Sequence, residues 1–159
     1  MANLPFGQGE EVTPMQMVQA YDAIANGGIL RSPRIVASVG GKTVPQARGR
    51  RILTPSVAAE LRDMLRGVFA DGGTASGAEI PGYDMAGKTG TANIAINGHY
   101  SDSAYVASFI GMVPTDHPRL VIAVVVNQPQ GSIFGGSVAA PAFQQIVGWA
   151  VPYLGIPPK

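Results

Sequence analysis

The spacing of apolar and polar residues divides the chain into two helices, a β meander and a final helix. Thr13-Pro14 followed by Gln16 has the form of a capping box with proline in the first turn, and Met17, Val18, Tyr21, Ile24 and Ala25 then recur at helical spacing. These predict a helix from Pro14 to about Asn26 that buries this face and stops at Gly27-Gly28. Thr54-Pro55 repeats the start, and Val57, Leu61, Met64, Leu65 and Val68 follow at steps of four, three, one and three. A second helix is therefore expected, ending at Asp71-Gly72-Gly73. Between the helices, Ile35 to Val39 and Arg51 to Leu53 flank a Gly40-Gly41-Lys42 turn and suggest a small hairpin.

After Asp71 the helical period gives way to extended runs. Ala75 to Gly82 is small-residue sequence broken by Pro81, a loop that delivers the chain into a strand from Tyr83 to Ile94. Asn97-Gly98 is a turn signal. Ala104 to Val113 and Arg119 to Val126, separated by Pro114-Thr115-Asp116-His117-Pro118, complete a three-strand antiparallel meander. Beyond Phe134-Gly135-Gly136, with Ser137 as its cap, Phe143, Ile146, Val147, Ala150 and Leu154 mark one face of a last helix. Pro141 falls near its first turn, Pro152 ends or kinks it, and Pro157-Pro158-Lys159 is expected to be loose. The fold class is α+β, an antiparallel sheet of three or more strands packed by about three helices, with residues 1–159 as a single domain.

Composition narrows the function. With 159 residues, 46% of them hydrophobic, and a net charge of +1, the chain can bury a core and shows no bias toward a polyanion, which argues against nucleic acid as a partner. Arg48, Arg50 and Arg51 surround Gly49 in polar sequence and read as a solvated loop. The longest run free of polar residues, glycine and proline is Leu120 to Val126, far short of the roughly 20 residues that span a bilayer, so the chain is expected to be soluble without a membrane span. Met1-Ala2-Asn3-Leu4-Pro5 lacks the order of a signal peptide, which places any export signal in a longer parent.

The absence of cysteine excludes disulfides and thiolate metal sites. His99 and His117 stand alone and read as surface residues, so neither a metal nor a cofactor is expected. Asp102 and Asp116 read as turn residues, and Met15, Met17 and Met64 as packing. Gly41-Lys42-Thr43 lacks a glycine five residues upstream, where Val36 stands, and reads as a turn.

The candidate chemistry lies in Gly87-Lys88-Thr89-Gly90-Thr91-Ala92, where a lysine and two hydroxyl residues around a glycine make a compact anion grip. Two signatures fit it. From Gly82 it reads as the phosphate loop G-x-x-x-x-G-K-T, and from Lys88 as the K-T-G strand of penicillin-recognising serine enzymes. A phosphate loop needs a buried strand before the first glycine and a helix directly after the lysine. Here Pro81 precedes and Gly90 follows, and the apolar strand that would supply a magnesium-binding aspartate ends in Asn127. As a strand, the segment presents Lys88, Thr89 and Thr91 around Gly90, whose missing side chain lets a substrate backbone lie close. Strict alternation puts Lys88 on the face opposite Thr89 and Thr91. Convergence on one anion therefore requires an edge strand, or a lysine stem that reaches around.

The chain as a whole resembles the transpeptidase domain of class B penicillin-binding proteins, the peptidoglycan D,D-transpeptidases. The resemblance runs from Gly7-Gln8-Gly9 and Val12-Thr13-Pro14-Met15-Gln16-Met17 through Ala20-Tyr21-Asp22-Ala23-Ile24-Ala25-Asn26-Gly27-Gly28, then Pro81-Gly82-Tyr83 and Ala86 to Ala92. It continues through Ala107-Ser108-Phe109-Ile110-Gly111 and Val124-Val125-Val126 to Gly135-Gly136-Ser137-Val138-Ala139-Ala140-Pro141. It implies a partial penicillin-binding-protein or serine β-lactamase-like fold in which Lys88 supports the active-site hydrogen-bond network. The Thr89 and Thr91 hydroxyls would grip the substrate's terminal carboxylate, and the Thr91 N–H would be one oxyanion donor.

The resemblance also implies a nucleophile in an S-x-x-K helix and an S-x-N loop. None of the serines at positions 32, 38, 56, 76, 101, 103, 108, 132 and 137 has a lysine three residues on, and Ser101-Asp102-Ser103 is not S-x-N. The chain thus looks like the C-terminal part of such a domain, whose missing N-terminal part is a partner along with the stem peptide or β-lactam. Catalytic roles are expected of Lys88 and Thr91, and substrate binding of Lys88, Thr89, Gly90 and Thr91. The resemblance implies an extracytoplasmic parent. Truncation implies an exposed apolar surface open to self-association. A peptide-binding module without chemistry and a complementation fragment remain as alternatives.

Overall fold

The computed structural model describes residues 9–159, so Gly7 and Gln8 lie outside the described residues. Its centre is a three-stranded antiparallel meander in the order β5 (Ala86–Ile96), β6 (His99–Val113), β7 (Leu120–Asn127). Gly87 faces Gly111 across the first pair and Phe109 faces Val124 across the second. Asn97 and Gly98 both take positive φ in the turn that joins β5 to β6, as the Asn-Gly signal predicts.

Alternation along β6 sends residues to two covered faces. Phe109 and Val113 pack with Leu120, Ile122 and Val124 under α4 (Ala140–Tyr153), which contributes the fully buried Phe143 and Val147. The Phe109 and Phe143 rings meet at 4.8 Å, with Phe69 5.6 Å from Phe109. Gly111 is small because of this contact: a Cβ there would lie 2.7 Å from the Phe143 ring. The opposite face carries the buried Ala86, Ile110 and Met112 and is covered by α1 (Pro14–Ala25) and α2 (Pro55–Arg66).

Both helix starts follow from local chemistry. The Thr13 hydroxyl accepts from the Gln16 N–H and the Gln16 side chain accepts from the Thr13 N–H, with Pro14 in the first turn. The Thr54 hydroxyl accepts from the Val57 N–H ahead of α2.

Several expectations are corrected. Arg51 to Leu53 does not pair with Ile35 to Val39. Instead β2 (Ser38–Val39) turns at Gly40-Gly41 onto β3 (Lys42–Thr43), while β4 (Arg50–Arg51) pairs with β1 (Ile29–Leu30). The cause is the end of α1, where the Asn26 side chain holds the Ile29 backbone and the Gly28 carbonyl accepts from Ile52 and Leu53. Gly28, at φ 99°, admits this approach because a Cβ would sit 2.2 Å from the Leu53 carbonyl. The second helix stops at Arg66 rather than Asp71, since Gly67 and Phe69 donate to carbonyls three residues back and the chain tightens into turns.

Ser137 is not a cap. It lies inside a short helix α3 (Gly135–Val138), and α4 starts at Ala140 without a side-chain cap. The buried face of α4 is Ala140, Phe143, Val147, Ala150 and Val151, whereas Ile146 and Leu154 are exposed alongside Trp149 and Tyr153. Met15 and Met64 are likewise exposed rather than packed. Asp102 sits in β6, at a bulge where the Ser101 hydroxyl accepts from the Ser103 and Ala104 N–H groups.

The tail is not loose. The Lys159 N–H donates to the Gly82 carbonyl at 2.8 Å, the Tyr83 hydroxyl donates to the Ile156 carbonyl, and Ile156 is buried. Asp116 does more than turn the chain. With Asp84 it holds Arg66 and Lys159 in one ion-pair cluster that joins α2, the approach to β5, the β6–β7 turn and the tail. The Lys159 and Arg66 hydrogen bonds hold the Asp116 carboxyl down at about 2. Among the described residues no helix is long and apolar enough to cross a membrane.

Candidate functional site

Lys88, Thr89, Gly90 and Thr91 lie in the regular part of β5, opposite Ile110, Phe109, Ser108 and Ala107 of β6. No helix starts directly after Lys88. The strand continues to Ile96, and Gly82 lies in a turn closed by an Ile80–Tyr83 bridge, so no helix N-terminus or glycine cradle is available for phosphate. The phosphate-loop alternative over Gly82–Thr89 is thereby overturned.

Among the described residues β5 pairs only with β6, leaving its other edge open. Lys88 is exposed, and its ammonium donates to the Thr89 carbonyl at 2.9 Å, so the stem folds back along its own strand. Residues two apart in a strand turn their backbone groups to the same edge. The Thr91 N–H thus points the same way as the Thr89 carbonyl that the ammonium reaches. The lysine stem thus reaches from the opposite face to the edge of its own strand.

The threonine face is supported from behind by two groups that sequence reasoning did not assign to the site. Thr89 Oγ1 lies 2.9 Å from Thr74 Oγ1, and Thr91 Oγ1 accepts from the Gly135 N–H at 3.2 Å. Gly135 and Gly136 can sit there only as glycines. A Cβ on Gly135 would come within 2.2 Å of the Ser108 carbonyl and 2.5 Å of the Gly90 carbonyl, and one on Gly136 within 1.9 Å of the Thr74 carbonyl. The readable signal was the Gly-Gly pair ahead of a helix, which marks a close backbone approach.

Gly90 has a neighbour of its own, because a Cβ there would lie 2.4 Å from the Ser108 hydroxyl. The arrangement offers one cation, two hydroxyls and an open strand edge, which suits an extended ligand ending in an anion. Among the described residues no serine hydroxyl is hydrogen-bonded to a lysine or histidine side chain. In the bulge the Ser101 hydroxyl lies 3.4 Å from the Ser103 hydroxyl and accepts from the Ser103 N–H, and the exposed His99 and His117 lie in or beside the two turns of the meander.

Comparison with known proteins identifies the family. The penicillin binding protein transpeptidase domain matches residues 1–148. The probable peptidoglycan D,D-transpeptidase PenA of Neisseria meningitidis is 36% identical over 158 residues, covering 99% of this chain and 26% of that protein. Stage V sporulation protein D of Bacillus subtilis is 40% identical over 167 residues, again covering 99% and 26%. Penicillin-binding protein 3 of Mycobacterium tuberculosis, solved in complex with ampicillin, superposes with a TM-score of 0.89 at 38% identity over 99% of this chain and 38% of that one. The chain thus spans about a quarter of the length of these curated relatives. A matching domain model over nearly the full length, relatives at this identity and a shared α+β architecture place the chain in the penicillin-binding protein transpeptidase family, among its class B members.

Proposed function

We propose that this chain is the substrate-carboxylate portion of a peptidoglycan D,D-transpeptidase domain, and that the acylating serine comes from sequence outside it. The observation that carries the reading is the open edge of β5, where the Lys88 ammonium folds back onto the Thr89 carbonyl and the neighbouring Thr91 hydroxyl is held by the Gly135 N–H. In this reading Thr89 and Thr91 hold the terminal carboxylate of a stem peptide, or the carboxylate of a β-lactam, by charge-assisted hydrogen bonds. Lys88 supports the proton network at the nucleophile, and the Thr91 N–H donates to the oxyanion that forms when the serine attacks.

The remainder of the domain is the partner that completes the site. The names of the relatives support this choice of substrate, and the ampicillin complex of the mycobacterial protein supports β-lactams as mimics. The parent is extracytoplasmic in this reading, where peptidoglycan is cross-linked. The exposed Ile146, Trp149 and Tyr153 stripe on α4 gives the isolated chain a surface for self-association.

Because no serine here stands three residues before a lysine, the isolated chain should form no covalent adduct with a fluorescent β-lactam on a denaturing gel. A labelled band from the purified chain would refute the assignment of the nucleophile elsewhere.

A further inference from the structure

Thr74, in the turn region between α2 and β5, carries a hydroxyl that no part of the proposed mechanism uses. It is 2.9 Å from the Thr89 hydroxyl. Its backbone is fixed on both sides. The Ala75 N–H donates to the Val68 carbonyl at 2.9 Å, Ala75 itself is buried, and Gly136 rests on the Thr74 carbonyl with no room for a Cβ. A Cβ on Gly136 would also lie 3.6 Å from the Thr89 methyl group. An exposed hydroxyl is therefore held on a rigid backbone beside the first hydroxyl of the anion grip.

Each hydroxyl has one proton to give, whereas a carboxylate only accepts. If Thr89 donates to Thr74, it has nothing left for a ligand carboxylate. If Thr74 donates to Thr89, the Thr89 proton is free to point at the ligand, and the chain of two hydroxyls polarises in the ligand's favour.

We propose that Thr74 is a positioning residue for carboxylate recognition. It donates to Thr89 Oγ1 and so commits the Thr89 proton to the terminal carboxylate of the bound peptide. This rests on the reading of β5 as a carboxylate grip. The ligand class is a peptide with a free C-terminal carboxylate, discriminated from the same peptide capped as an amide.

The test titrates the chain with N-acetyl-D-alanyl-D-alanine and with its C-terminal amide, following backbone amide shifts of β5 by NMR. The wild type should prefer the acid. Thr74→Val, which keeps the branched shape and removes the hydroxyl, should weaken acid binding by about 3- to 10-fold, the range for one hydrogen bond, and leave amide binding unchanged. Thr74→Ser should restore the preference, and Thr74→Val in a Thr89→Val background should add nothing. If Thr74→Val does not fold, Thr74→Ala takes its place, with the same expected loss.

If the wild type prefers the acid and the Val or Ala variant keeps that preference, the role of Thr74 is overturned while the β5 grip stands. A wild type that shows no preference for the acid overturns the grip and this proposal with it.

Discussion

Replacing Gly135 by alanine tests whether α3 seats against the site strand as described. The new Cβ would lie 2.2 Å from the Ser108 carbonyl and 2.5 Å from the Gly90 carbonyl. Ordinary contact begins near 3.4 Å, so α3 or the two strands must separate by about 1 Å against backbone atoms that no rotamer change can move. Overpacking of this kind costs about 1–3 kcal/mol. With a urea dependence of about 2 kcal/mol per molar for a domain of this size, the unfolding midpoint should fall by about 0.5–1.5 M. The shift should also lengthen the Gly135 N–H contact to Thr91 Oγ1 and appear as amide shift changes at Thr91.

Gly148→Ala supplies the control. It lies exposed within α4 with nothing within 4 Å of its added Cβ, so it should leave the midpoint unchanged or raise it, by up to about 1 kcal/mol of helix propensity. A Gly135→Ala chain that unfolds within 0.5 kcal/mol of the wild type would refute the close approach of α3 to β5, and equal effects at the two positions would refute the steric argument.

Three further outcomes follow from the structure. Phe143→Ala removes a fully buried ring that packs on Phe109 and covers Gly111, and it should cost about 3–5 kcal/mol in chemical denaturation. The Asp116 carboxyl is held down from 3.8 to about 2, so its ion pairs stabilise the fold above about pH 4 and that contribution is lost as pH falls toward 2. Thermal melts of Asp116→Asn should therefore show a flatter acid limb between pH 4 and 2 than the wild type, and identical limbs would contradict the cluster. Trp149→Lys, placed on the exposed stripe beside the stacked Tyr153 ring, should shift the isolated chain toward the monomer in sedimentation velocity without a loss of melting temperature.

What could be read from the sequence was what local chemistry decides. Thr13 and Thr54 announce their helices because a cap is made by residues three apart, and Asn97-Gly98 announces its turn because positive φ is a property of the residues themselves. The K-T-G strand was legible because Gly90 after Thr89 forbids the helix that a phosphate loop requires. What failed was set by partners distant in sequence. Arg50 and Arg51 pair with Ile29 and Leu30 through the end of α1, which no period reveals.

On α4, apolar residues occupy two faces, and the one that turns inward is the one whose Phe143, Val147 and Val151 meet the sheet-side core. Lys159 looked loose by composition and is held by Gly82, Asp84 and Asp116. The place of Thr74 depends on the fold bringing residue 74 beside residue 89, which no local pattern encodes.

Whether these residues hold a substrate carboxylate for a nucleophile carried elsewhere is tested most directly by reconstitution. The chain is mixed with the N-terminal portion of the transpeptidase domain that bears the S-x-x-K and S-x-N sequences, fluorescent β-lactam is added, and the acylated residue is mapped by mass spectrometry. No label is expected on either part alone, and in the mixture a label is expected on the serine of the added portion that Lys88→Ala abolishes. An acylated serine within residues 1–159, or labelling of the mixture unaffected by Lys88→Ala, would contradict this expectation.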